Sequence, residues 1–207
     1  MRQLALVLAM CAFSGCSLLT SRAAPKTEFD FGPEPNARSE PALLSQARLV
    51  VYDISAPTWM DGTTMYYRLA YRNAAVPLGY AESEWVMPPA ALLTERLRSN
   101  AAVHADGENL PVGVRRPSVC ALHSELLEFE QIFDEPHRSH GALRLRATLE
   151  CDGVWAQRTF AVDRPAPTPN AAGAVTALVK CAEELERLLK EWVSRSDSRS
   201  PSSANRN

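Results

Sequence analysis

Leu143-Arg144-Leu145-Arg146-Ala147-Thr148-Leu149-Glu150-Cys151-Asp152-Gly153-Val154-Trp155-Ala156-Gln157-Arg158-Thr159-Phe160-Ala161-Val162 decides how this chain folds. Asp-Gly flanked by alternating apolar residues is the signature of a two-residue β-hairpin turn, because both central positions of that turn need positive φ. Placing the turn at Asp152-Gly153 sets Cys151 opposite Val154, Leu149 opposite Ala156, Leu145 opposite Phe160 and Leu143 opposite Val162. Arg144, Arg146 and Glu150 then share the other face with Trp155 and Gln157. Register, turn and burial agree, and a slip of one residue would turn every apolar side chain to water.

The strand before this hairpin, residues 120–131, pairs back through a loop expected at Asp134–Gly141. Leu122 and Leu126 are in phase, whereas Phe129 is not, and a β-bulge near Leu127-Glu128 restores the parity. Phe129 then faces Leu143, Leu126 faces Leu145 and Leu122 faces Leu149. The same register brings Cys120 opposite Cys151. Facing residues lie about 4.5–5.5 Å apart at Cα, within disulfide reach, so the pair is either a bridge or two buried free thiols.

Upstream, Leu49–Ile54 reads as a buried strand and Thr58–Thr63 as a turn containing Asp61-Gly62. Met65–Arg72 alternates, with Met65, Tyr67, Leu69 and Tyr71 on one face and Arg68 and Arg72 on the other. Pro88-Pro89 suits a first helical turn, and Leu93 and Leu97 carry that helix to about Ser99. The region 101–118 holds at most one or two short strands. From Asn170 to Val193, Val175, Leu178, Ala182, Leu185, Leu189 and Trp192 recur at three- and four-residue steps, which predicts a long amphipathic helix packed on the sheet. Cys181, beside that stripe, reads as a small buried hydrophobe. Residues 194–207 are rich in Ser, Arg and Asn and are expected to be disordered.

The amino terminus carries a different signal. Arg2 precedes about ten apolar residues, too few to span a bilayer, which takes roughly 20. They read as the core of an export signal over residues 1–15. Phe13-Ser14-Gly15-Cys16 resembles the bacterial lipobox, whose cysteine is acylated before the signal is removed, with Phe13 where Leu is usual. The mature chain is thus expected to begin at lipidated Cys16, and residues 16–45, poor in apolar side chains, to form a flexible tether. Phe29 and Phe31 in that tether either dock on the domain edge or stay loose. Ser17, where lipoproteins held at the inner membrane usually have Asp, points by the same resemblance to the outer membrane.

About 190 of the 207 residues remain after the signal, enough for one domain, here expected over 46–193. The net charge of −2 excludes a strongly basic nucleic-acid-binding surface. No G-x-S-x-G, P-loop or H-E-x-x-H is present. His104, His123, His137 and His140 have no cysteine or carboxylate set around them that would suggest a metal, and Asp53 and Asp61 show no second carboxylate to make an acid–base pair. The expectation is a non-enzymatic protein with no cofactor. Trp59-Met60-Asp61 at a turn tip, and Trp85 before the helix, are the candidate partner contacts, since exposed aromatics anchor interfaces; the alternative is that they fold back over the sheet edge.

Taken together, lipobox, tether, Ala56-Pro57-x-Trp59-Met60-Asp61-Gly62, Met65-x-Tyr67-Arg68 and Ser83-x-Trp85 form an ordered set. It continues with Pro89-x-x-Leu92-Leu93, Leu97, Leu126, Glu128-Phe129, Gln131-x-Phe133, Leu143-Arg144-x-Arg146-Ala147 and Arg158-x-Phe160. This set resembles the ABC-type transport auxiliary lipoproteins, the PqiC- or YmbA-like family. The resemblance implies one α/β domain, a mixed and mostly antiparallel sheet flanked by helices, with the long amphipathic helix at its C-terminal end. It also implies anchoring in the outer membrane facing the periplasm, and partnership with an MCE-domain protein and an ABC transporter that move lipid between membranes. A second copy of the chain is a further candidate partner. A lipoprotein that itself binds a small apolar ligand is the competing expectation, and a lipid-anchored hydrolase a weaker third.

Overall fold

A computed structural model describes residues 25–33, 48–102 and 119–197. The export signal, Cys16 and the region 103–118 lie outside the described residues. Seven strands form one mixed sheet: β1 Thr27–Phe29, β2 Arg48–Val51, β3 Thr64–Leu69, β4 Pro77–Trp85, β5 Val119–Glu135, β6 Arg138–Cys151 and β7 Val154–Pro165. Among the described residues three α-helices accompany them, α1 Ala70–Asn73, α2 Pro89–Ala102 and α3 Ala171–Asp197. This is a single α/β domain with a long C-terminal helix, as the sequence predicts.

The β5–β6–β7 meander has the expected register throughout. Cys151 pairs with Val154, Leu149 with Ala156, Leu145 with Phe160 and Leu143 with Val162. Asp152 and Gly153 have φ of 50° and 80°, the two positive values that the turn requires. Between β5 and β6, Cys120 pairs with Cys151, Leu122 with Leu149, Leu126 with Leu145 and Phe129 with Leu143, across a register shift between Leu126 and Glu128. Cys120 and Cys151 are joined as a disulfide, with Cα atoms 4.3 Å apart.

The loop expected at Asp134–Gly141 is instead strand on both sides of a tight turn at Pro136-His137. Its polar residues pair across the ladder: Gln131 donates to Ser139 Oγ at 2.8 Å, and His140 Nδ1 lies 2.9 Å from Asp134. Tyr80 completes that chain by donating to Gln131 Oε1 at 2.5 Å.

The remaining strands are arranged by long-range pairing. β5, 17 residues long, is flanked on its other edge by two strands in succession, both parallel to it. β2 lies along its start and β3 along its end, with Ser55 bridging to Glu125 between them. β4 adds antiparallel to β3, and β1 adds parallel to β4. β1 lies within the stretch expected as tether, and Phe31 just beyond it packs on Trp85 and Phe129, each with ring centroids 6.0 Å away. β2 stops at Val51, and β3 stops at Leu69, where the chain turns into α1. Tyr71, expected on the buried face of β3, is therefore exposed. α3 runs four residues past its expected end, to Asp197.

α2 and α3 cover one face of the sheet and share its core, Leu93 and Leu97 from α2 joining Leu178, Ala182, Leu185 and Leu189 from α3. An ion pair between Arg96 and Glu186 ties the two helices. Asn170 caps α3 by accepting from the Gly173 N–H at 2.9 Å. Cys181 is fully buried in the stripe, donates to the Gly141 carbonyl at 3.3 Å, and burial pushes its thiol up to about 12.

At Gly141 α3 lies tight against the sheet. A Cβ there would meet the Ala177 Cβ and the Leu178 N at 3.0 Å each. Gly141→Val is expected to force helix and sheet apart and destabilise the fold by about 1–3 kcal/mol, read as a lower urea midpoint. An unchanged midpoint would show that α3 is free to shift.

Candidate functional site

The Trp59-Met60 pair expected at a turn tip is split by its backbone. Thr58–Met60 is a single 3-10 turn closed by Met60 N–H donating to Pro57 O at 2.8 Å. Neighbouring residues of a 3-10 turn point about 120° apart. Met60 thus faces inward at 2% exposure, while Trp59 stays 42% exposed. Trp85, the other aromatic candidate, is also 2% exposed, meeting Phe31 edge-on and Phe129 at a tilt. Met60 and Trp85 are core residues, buried away from any partner surface. Trp59 and the exposed Asp61 remain.

Trp59 is fixed in place. Its ring meets Tyr66 edge-on at 5.1 Å, its carbonyl accepts from Tyr66 Oη at 2.7 Å, and the Arg68 guanidinium lies 5.9 Å from the ring centroid. These partners place it over the sheet face opposite α2 and α3. That face carries cross-strand ion pairs, Arg146 with Glu125 at 2.7 Å and Arg144 with Glu128 at 3.3 Å.

One acidic residue on this face is not in water. Glu130 is 2% exposed, with Oε1 accepting from Arg68 Nε at 2.7 Å. Arg68 also donates to the Ala74 carbonyl at 3.0 Å, which holds α1 over the same corner. The second carboxylate oxygen, Oε2, is buried with no hydrogen-bond partner among the described residues. Burial pushes the Glu130 carboxyl above the usual carboxylate range, and the Arg68 hydrogen bond and charge oppose that shift. Glu130 lies in a cleft of about 520 Å³ lined by Trp59, Arg68, Ala70, Leu127, Ile132 and Arg144 among others.

The sequence reading missed Glu130. The available signal was an acidic residue set in the apolar strand pattern of 120–133, but its partner Arg68 is 62 residues away on a strand whose parallel pairing no local turn reveals.

A second groove, of about 580 Å³, lies between the chain around β1 and the first half of α3, where Phe29, Phe31, Val86, Val175 and Val179 meet Lys180 and Glu183. Elsewhere, His123 stacks on Tyr52 at 4.2 Å. Among the described residues no three His, Cys, Asp or Glu side chains cluster as a metal site would need, and no helix is long and apolar enough to cross a membrane.

No family model and no curated protein matches the chain by sequence. Solved structures do share its architecture. The crystal structure of a Xanthomonas campestris protein of the family DUF330 superposes with a TM-score of 0.59 at 19% identity, over 85% of this chain and 98% of that one. A second crystal structure, of an uncharacterized protein, gives 0.61 at 14% identity over 82% and 99%. The likeness is one of fold. It spans nearly the whole length of both neighbours, so the sheet and helices described above are a recurring unit.

Proposed function

We propose that this chain is a non-enzymatic auxiliary lipoprotein of the PqiC- or YmbA-like kind, held to the outer membrane through acylated Cys16. It would serve an MCE-domain protein and its ABC transporter in moving lipid between membranes. The ordered motif set and the lipobox support this reading at the level of sequence. The observation that carries it is Trp59, a large aromatic ring kept half out of water by Tyr66 and Arg68 on the face that α2 and α3 leave uncovered. Leaving such a ring wet is unfavourable, and aromatics of this kind anchor protein contacts.

The test is capture of the MCE-domain protein by the full chain. Trp59→Ala is expected to weaken capture about tenfold or more, as loss of an interface anchor does, while moving the unfolding free energy by less than about 1 kcal/mol because the ring is exposed. Undiminished capture by Trp59→Ala would refute the assignment.

A second reading is favoured by the groove beside α3. Its Phe29, Phe31, Val175 and Val179 would suit a small apolar ligand held by this protein itself. An apolar molecule retained at one equivalent through purification would favour it over docking.

A further inference from the structure

We propose that the cleft over Glu130 is a binding site for a primary alkylammonium group, supplied as a lysine side chain by the protein that docks on this face. The source of the amine rests on the docking reading above; the site itself does not.

Three observations lead there. Glu130 is buried on a face whose other acidic groups, Glu125 and Glu128, are at least partly solvated, and its Oε2 has no donor among the described residues. A buried acceptor without a donor is strongly disfavoured, so a ligand that brings one gains there. Second, Arg68 already occupies Oε1, which leaves one oxygen. A guanidinium fork is matched to two carboxylate oxygens, whereas an ammonium is a compact point donor that needs one. Third, Trp59, Ala70, Ala74, Leu127 and Ile132 give the cleft apolar walls of the kind that the methylene stem of a lysine covers. Glu128 lines the same cleft, but its charge is already paired with Arg144. A lysine is favoured over an aminolipid headgroup because its four-methylene stem suits these apolar walls, whereas ethanolamine has only two carbons before a charged phosphate that the same walls would desolvate.

The test is a titration of the detergent-solubilised full chain with n-butylammonium chloride, followed by amide NMR, with n-butanol as the uncharged analogue. Saturable shifts are expected at Trp59, Arg68 and Glu130 with the amine and not with the alcohol. Glu130→Gln, which keeps an acceptor for Arg68, should weaken the amine about tenfold or more, as loss of one charge-assisted hydrogen bond does. Glu128→Gln should change it less than about threefold. Equal affinity in wild type and Glu130→Gln, or equal response to butanol, overturns the site. Should Glu130→Gln not fold, Trp59→Ala carries the same comparison, and undiminished amine binding by that exposed-position variant overturns the site as well.

Competition then separates the source. Butylammonium should displace the captured partner protein, and vesicles of phosphatidylethanolamine should not bind at the cleft. Amine binding without displacement overturns the lysine assignment while leaving the site standing. Vesicle binding that Glu130→Gln abolishes overturns it in favour of a lipid headgroup. Absence of amine binding overturns the site whatever the capture experiment shows.

Discussion

Trp85→Ala is expected to destabilise the domain by about 3–5 kcal/mol, the range for removing a buried large aromatic. The side chain is 2% exposed and joins three parts of the fold: β4 that carries it, Phe129 on β5, and Phe31 from the N-terminal segment. Removing it leaves a cavity under the sheet and takes away the surface on which Phe31 rests, so β1 should loosen before the sheet does. A domain of this size is stable by only about 5–15 kcal/mol, which makes the loss a large share. Urea unfolding gives the magnitude, and hydrogen exchange at Thr27–Phe29 reports the local release. A change within about 1 kcal/mol would mean that Trp85 is not the core residue described.

The disulfide is expected to have the next largest effect. It joins positions 31 residues apart, and closing a loop of that length in the unfolded chain is worth about 3–4 kcal/mol in the chain-entropy account. Both sulfurs are buried at the end of the β5–β6 ladder beside β2. Ala at both positions is the appropriate variant, because Ser would bury two hydroxyls. Cys120→Ala with Cys151→Ala should lower the urea midpoint markedly, and reductant should do the same to the unaltered chain. A midpoint indifferent to reductant would show that the thiols are unpaired.

What the sequence discloses is what local geometry dictates. Asp152-Gly153 admits one kind of turn, and that turn sets the register of β6 and β7. Parity then requires the bulge after Leu126, and the bulge places Cys120 beside Cys151. α3 is legible because its apolar period matches the helix.

The parallel neighbours of β5 are not legible in this way. β2 and β3 reach it through long excursions, and no turn chemistry connects them. β4 and β1 escape for a related reason: both lie towards an edge, where partial burial blurs the alternation. Asp134, Ser139 and His140 suggest a loop because they are polar, yet each is satisfied across a ladder. Met60 and Trp85 show the limit most sharply. An aromatic or methionine near a turn is an anchor or a core residue according to which side of the backbone it leaves, and only the folded chain decides that.

Acylation of the thiol at position 16, as proposed, would give a domain with no membrane-crossing helix among its described residues its hold on the bilayer. The direct measurement is the intact mass of the protein extracted from the membrane fraction of cells that express the full chain. The predicted value is that of a polypeptide beginning at Cys16 plus its fatty-acyl groups, with Cys16→Ser recovered from the soluble fraction without them. An unacylated mass for the membrane-extracted protein, or a Cys16→Ser protein that still fractionates with membranes, would contradict it.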